Sequence, residues 1–237
     1  MKNKDNFTKI SDEQYASYFG LKKPKNKKLH KKAFKKAWET RNFEIDIFWQ
    51  RSTFFWGFIA LIFTGYVTVV TGKYNQTVKE MYLDFYLILL GIIFSVAWIL
   101  VILGSKRWQE NWEKHIDCLE NEITGPLYKT IYYKGKNYYS VSGINLKLAW
   151  VVLITWIFLL MQYFYTNFTT FKNIFLYICN NFHVIFFLIL PLVLTVICIF
   201  YFLLKKGQTD GGELNKEFKK GGSDVFFTKK QKDKETE

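Results

Sequence analysis

Apolar residues in this chain do not alternate. They gather into long windows separated by charged stretches, and four of these, Phe54–Val70, Phe85–Leu103, Leu148–Tyr165 and Val184–Leu204, contain no Asp, Glu, Lys, Arg or His. At 1.5 Å of rise per residue, about 20 apolar helical residues cross the ~30 Å hydrocarbon layer of a bilayer. The last window is nearly solid Leu, Ile, Val and Phe, each of which favours insertion by roughly 0.3–0.6 kcal/mol at the helix centre. The pattern predicts an all-α polytopic membrane protein: four transmembrane helices with cytoplasmic amphipathic, coiled-coil-like helical extensions.

In residue terms the expectation is a Lys-rich N-terminus over 1–28, an amphipathic pre-span helix over 29–52, and spans over 53–71, 85–104, 148–166 and 184–204. Residues 72–84 and 167–183 form external loops, 105–147 a cytoplasmic helix and loop, and 205–237 a flexible tail. No short apolar leader precedes the first window, so that span is expected to act as its own targeting signal.

Finer patterning marks the helices. Ser11 followed by Gln14 reads as a capping box opening a short helix over Asp12–Phe19. Leu29, Ala33, Phe34, Ala37, Trp38, Ile45, Phe48 and Trp49 follow a 3.6-residue period. After the second window the helical pattern continues, with Trp108, Trp112, Ile116, Leu119 and Ile123 on one stripe until Gly125–Pro126 supplies a stop. A helix from Phe85 to Ile123 would be about 58 Å long and would project beyond the bilayer. Its aromatic stripe needs cover from the Ala33–Phe48 segment, from a second subunit, or from both. Trp38, Arg41, Glu44 and Trp49, with Trp108, Trp112, Ile116, Leu119 and Ile123, are therefore the candidate cytoplasmic oligomer interface. Glu44 and Asp46 either face water or pair with Arg of a neighbouring subunit.

Within the spans, Gly57, Ala60, Thr64 and Gly65, then Gly91 and Ser95, place small residues where helix backbones approach closely in lipid. Ser142 is the candidate cap of the third span, Pro191 should kink the fourth, and paired aromatics around Gly135 suggest a hairpin.

Charge adds orientation. Lys and Arg number 14 up to Arg51, 2 over 71–84, 7 over 104–147, 1 over 166–183 and 9 from Lys205. Basic residues collect on the cytoplasmic side, so both termini and the central loop are expected inside and the two short loops outside. Nine of the first 14 are Lys22, Lys23, Lys25, Lys27, Lys28, Lys31, Lys32, Lys35 and Lys36. Anionic lipid headgroups attract such a run at about 1 kcal/mol per residue, a more economical partner than nucleic acid, although a bare topology signal accounts for it equally well. Abundant Lys, Asn, Ile, Phe and Tyr point to an AT-rich bacterial genome.

Candidate chemistry is thin. His30, His115 and His183 match no zinc or triad spacing, with a satisfied surface role expected, and Cys118, Cys179 and Cys198 show no metal spacing. The ionisable groups that a proton pathway would need are missing from the windows. No cofactor and no catalysis are expected. A pore lined by Thr, Ser and Gly of several subunits remains open.

The segments AWETRNFEIDIFWQRSTFFWGFIA, GSKRWQENWEKHIDCLENEITGPLYKT and SVSGIN, in this order over about residues 33–147, resemble the RipA family of octameric membrane proteins. That bacterial family is named for a factor required for intracellular proliferation. The resemblance implies a homo-oligomeric, octameric inner-membrane protein tied to adaptation inside host cells, and it carries over no catalytic residue. The leading expectation is a scaffold in envelope homeostasis. A multi-subunit channel or membrane-disrupting effector comes second, and a lipid-metabolising enzyme third.

Overall fold

A computed structural model of the chain describes residues 7–72, 81–130, 139–167, 189–205 and 227–230. In chain order these form β1 (Phe7–Ile10), α1 (Asp12–Tyr18), α2 (Lys27–Thr71), α3 (Leu83–Leu119), α4 (Val141–Thr166), α5 (Leu190–Ile197), a π-helical stretch Cys198–Lys205, and β2 (Phe227–Lys230). The hairpin expected around Gly135, most of the external loops expected after Gly72 and Asn167, and the start of the expected fourth span lie outside the described residues. The chain divides into two units, one containing residues up to Asn42 with Glu110–Tyr133 and the C-terminal segment, the other Phe43–Gln109 with Lys134–Gly207. Residues of α2 and α3 belong to both.

The first unit is built on local signals. The Ser11 hydroxyl accepts the Gln14 N–H at 3.3 Å and the Gln14 side chain accepts the Ser11 N–H at 2.9 Å, completing the capping box of α1. Gly20 turns the chain at φ +75°, where an added Cβ would meet the Asn26 carbonyl oxygen at 2.7 Å, so only glycine fits. The Asn26 side chain then accepts the Leu29 N–H at 3.0 Å and caps α2. Tyr15, Ala37, Ile116 and Leu119 form the core, bringing α1, the start of α2 and the end of α3 together. In the same unit β1 pairs antiparallel with β2, Phe7 opposite Lys230 and Ile10 opposite Phe227. This two-stranded ribbon departs from an all-α reading, and its second strand comes from the segment expected to be a flexible tail.

The second unit is apolar. Three described helices, α2, α3 and α4, are long and apolar enough to cross a membrane. Of the most apolar window of each, 44% is buried in α3 against 11% in α2 and 22% in α4, so α3 is the central helix of the three. Ile59 and Ile62 of α2, Ile88 and Trp98 of α3, and Ala149 and Trp156 of α4 meet in its core. Outward residues such as Phe54 and Leu61, 67% and 70% exposed, suit hydrocarbon and not water. The described apolar helical run of the fourth window, Leu190–Tyr201, is shorter than a span.

Two boundaries differ from expectation. The N-cap of α4 is Ser140, whose hydroxyl accepts the Gly143 N–H at 3.2 Å, so Ser142 lies inside the helix and α4 starts well before its apolar window. Likewise, α3 ends at Leu119 and not Ile123, because Glu120 turns away to bind a following loop. Pro191 is the second residue of α5, and the residues before Ile189, where the expected kink would have to show, lie outside the described residues.

Candidate functional site

The end of α3 is where the first unit concentrates its polar contacts. His30, buried on α2, places Nε2 2.7 Å from the carbonyl oxygen of Leu119. A carbonyl only accepts, so Nε2 carries the proton, and the imidazole satisfies one of the orphan acceptors of the helix end. The surface role expected for His30 is therefore corrected: it is interior, because its side of α2 packs on α3. One residue on, Glu120 is 1% exposed, and its carboxylate accepts the N–H groups of Tyr128 at 2.7 Å and Lys129 at 3.2 Å. Those two bonds fold GPLYKT back onto the helix, with Gly125 at φ +70° making the turn.

Next to this clasp, Arg41 of α2 lies 3.6 Å from Glu113 of α3 and 5.7 Å from the centre of the Tyr128 ring. Trp38 meets the same ring edge-on. Burial, and then the nearby Glu113 carboxylate, push the Tyr128 phenol up to about 12. On the other side of the core the Tyr15 hydroxyl and His115 Nδ1 are 2.8 Å apart. Burial holds His115 below its ordinary value and pushes Tyr15 up, so a neutral phenol facing a neutral ring is the stable pair. Phe19 and Trp112 also flank His115. Among the described residues no group of His, Cys, Asp and Glu gathers as a metal site.

The residues proposed for a subunit interface divide. Ile116 and Leu119 are buried inside the single chain and are used in its own core, with Trp112 packed against them. Ile123 falls in the turn after α3. Arg41 pairs within the chain, and the Glu44 carbonyl accepts a bond from Gln109 at 3.4 Å. Trp38, Trp49 and Trp108 remain exposed, Trp108 at 53%. All nine lysines between Lys22 and Lys36 are exposed.

The small residues of the spans divide too. An added Cβ at Gly91 would lie 2.3 Å from Cε2 of Trp156, so α4 stacks its indole directly on the α3 backbone. Ser95 is buried and bonds the Gly91 carbonyl at 2.7 Å. Gly65 faces Leu87 of α3 across ordinary contact distance. Among the described residues Gly57 has nothing within 4 Å, and Ala60 and Thr64 are exposed, so none of these residues packs on this face of α2. At the polar edge of the unit Asn145 donates to Ser52 at 2.9 Å and Arg51 to Ser105 at 2.9 Å.

Sequence reasoning missed Glu120, Tyr128 and the Ser52–Asn145 contact. One signal was present: an acid closing a helix opposes the macrodipole, so Glu120 beside Gly125–Pro126 needed a partner elsewhere.

The sequence model of the octameric membrane protein (8xMP) family matches residues 31–166. That interval takes in most of α2, all of α3, and α4 to its last residue. No curated protein and no solved structure matches the chain.

Proposed function

The chain belongs to the octameric membrane protein family, and we propose on that footing that it is a scaffold-like homo-oligomer of the bacterial inner membrane, acting without catalysis. Both termini and the clasp at the end of α3 face the cytoplasm, in keeping with the basic count of each segment. Its physiological role is envelope homeostasis during adaptation to growth inside host cells, as the resemblance to the RipA family implies. The observation that carries the oligomer is Trp108, 53% exposed in the polar run SKRWQEN. A half-bare indole in such a run is covered at low cost by a neighbouring subunit. Replacing Trp108 with Ala removes few contacts of its own chain, so the variant should stay folded and inserted while its mass in mild detergent drops below that of the wild type. An unchanged mass rejects this surface.

A channel is the second reading. It is favoured by the exposed row Thr64, Thr68 and Thr71 of α2, whose hydroxyls bond their own helix at 2.9, 2.8 and 2.7 Å. Such a row lines a pore at little cost. Saturable, selective ion flux through proteoliposomes of the purified oligomer would establish it in place of the scaffold.

A further inference from the structure

Ser52 of α2, Ser105 of α3 and Asn145 of α4 are buried, each just outside an apolar window of its helix, in the membrane unit. The Asn145 Nδ2 donates to the Ser52 hydroxyl at 2.9 Å. Its Oδ1, shut off from solvent, has no hydrogen-bond partner among the described residues. Turning the amide over does not mend this, because Nδ2 would then lose its acceptor where Oδ1 gained a donor. Ser52 is short of a partner as well. Thr64 and Ser95 donate to the carbonyl four residues back in their own helices, at 2.9 and 2.7 Å. The Ser52 hydroxyl instead accepts from Asn145 and donates to no described residue. One buried acceptor and one buried donor are thus left over, on side chains that already touch. An interior polar group left unmatched is costly, and most are matched by protein or by bound water.

We propose that this pair binds one water molecule between α2 and α4, which accepts the Ser52 hydroxyl proton and donates to Asn145 Oδ1. The water gives each leftover group the partner it lacks. Charge and size select it. The orphan is a carbonyl oxygen, which no anion complements. A cation is opposed by the guanidinium of Arg51, next to Ser52 in the chain and bonded to Ser105 at 2.9 Å. A lipid headgroup is too large for an atom that the packed helices close off. Supply is at hand, because the pair lies just beyond the apolar windows, where hydrocarbon gives way to hydrated headgroups. The inference therefore rests on the membrane placement and not on the oligomer.

The test is nuclear magnetic resonance of the full-length protein in phosphatidylcholine nanodiscs. Ile144–Asn145 is the one Ile–Asn step in the sequence, so carbon-labelled Ile with nitrogen-labelled Asn assigns Asn145. In a uniformly labelled sample, cross-relaxation from water should reach the Asn145 side-chain amide about fivefold more strongly than the backbone amide of buried Ala149, one turn on. Its laboratory-frame and rotating-frame components should have opposite signs, as for a water held in place and unlike passing solvent. Transfer no stronger than at Ala149 overturns the proposal, leaving Oδ1 to a protein group. Strong transfer with components of the same sign also overturns it, because the site would then be open to solvent. Co-elution of the chain with the discs checks the membrane placement separately, and the oligomer mass bears on neither result.

Discussion

His30 and Leu119, 89 positions apart in sequence, meet through a 2.7 Å hydrogen bond from imidazole Nε2 to the last carbonyl of α3. The bond is buried and joins α2 to α3 at the point where the long helix stops. Removing the ring leaves that carbonyl without its partner in a site water does not reach, a loss of about 1–3 kcal/mol. The His30→Ala variant should show faster amide exchange at Glu120, which donates to the Ile116 carbonyl in the last turn of α3, and at Ile123 and Thr124, which donate to the Glu120 carbonyl just beyond it. Lys31→Ala, one residue away and exposed, should change stability by less than about 0.5 kcal/mol. Equal effects from the two would mean the bond contributes nothing.

Glu120 holds a different kind of contact, one carboxylate for two backbone donors. Glu120→Ala should release Tyr128 and Lys129 together, destabilising the unit by about 2–3 kcal/mol. Glu120→Gln keeps one acceptor oxygen and should lose roughly half as much. Hydrogen exchange at those two amides distinguishes the variants, and protection retained in the alanine form would show that the loop is held by something else.

The Tyr15–His115 pair makes the unit sensitive to pH. Burial lowers the His115 value below its ordinary 6.5, so between the two values the unfolded chain binds the proton and the folded chain does not. Stability is therefore full above about 6.5 and falls as pH drops through the lowered native value. Unfolding of the unit followed from pH 7.5 to pH 5, about the range over which histidine titrates, should show this loss. His115→Gln should flatten it. A wild-type curve that rises on acidification would contradict the burial argument.

Two glycines of the membrane unit should respond in opposite ways. Gly91→Ala drives a methyl into the Trp156 indole, 2.3 Å away, and should destabilise the chain by about 1–3 kcal/mol. Pairing it with Trp156→Phe should recover part of that. Gly57→Ala meets no atom of the described residues within 4 Å and should leave the thermal midpoint of the single chain unchanged in detergent. If Gly91→Ala is also silent, the indole does not sit on the α3 backbone.

Particular residues show where sequence reading succeeds and where it stops. The Ser11–Gln14 capping box was legible because both partners lie within one turn, and the helix followed. Three helices long and apolar enough to cross a membrane were legible because insertion free energy sums over consecutive residues, whatever they touch. The α3 stripe of Trp112, Ile116 and Leu119 was visible as apolar periodicity, yet periodicity gives a face without naming its partner. It packs on Tyr15 and Ala37 of the same chain, and that removes Ile116 and Leu119 from any surface a second subunit could touch. Ser142 was misread as a cap because Ser140 offers the same chemistry two residues earlier.

By itself, then, the chain's order of residues determined everything that depends on neighbours along it: membrane class, helix periods, the first cap, and the bias of basic residues among segments. Only the tertiary structure decided which polar groups would be interior, because His30 with Leu119, and Ser52 with Asn145, are 89 and 93 positions apart. Hydrogen bonds act over about 3 Å, so such pairs exist only once particular helix faces meet, and no period or composition records that meeting.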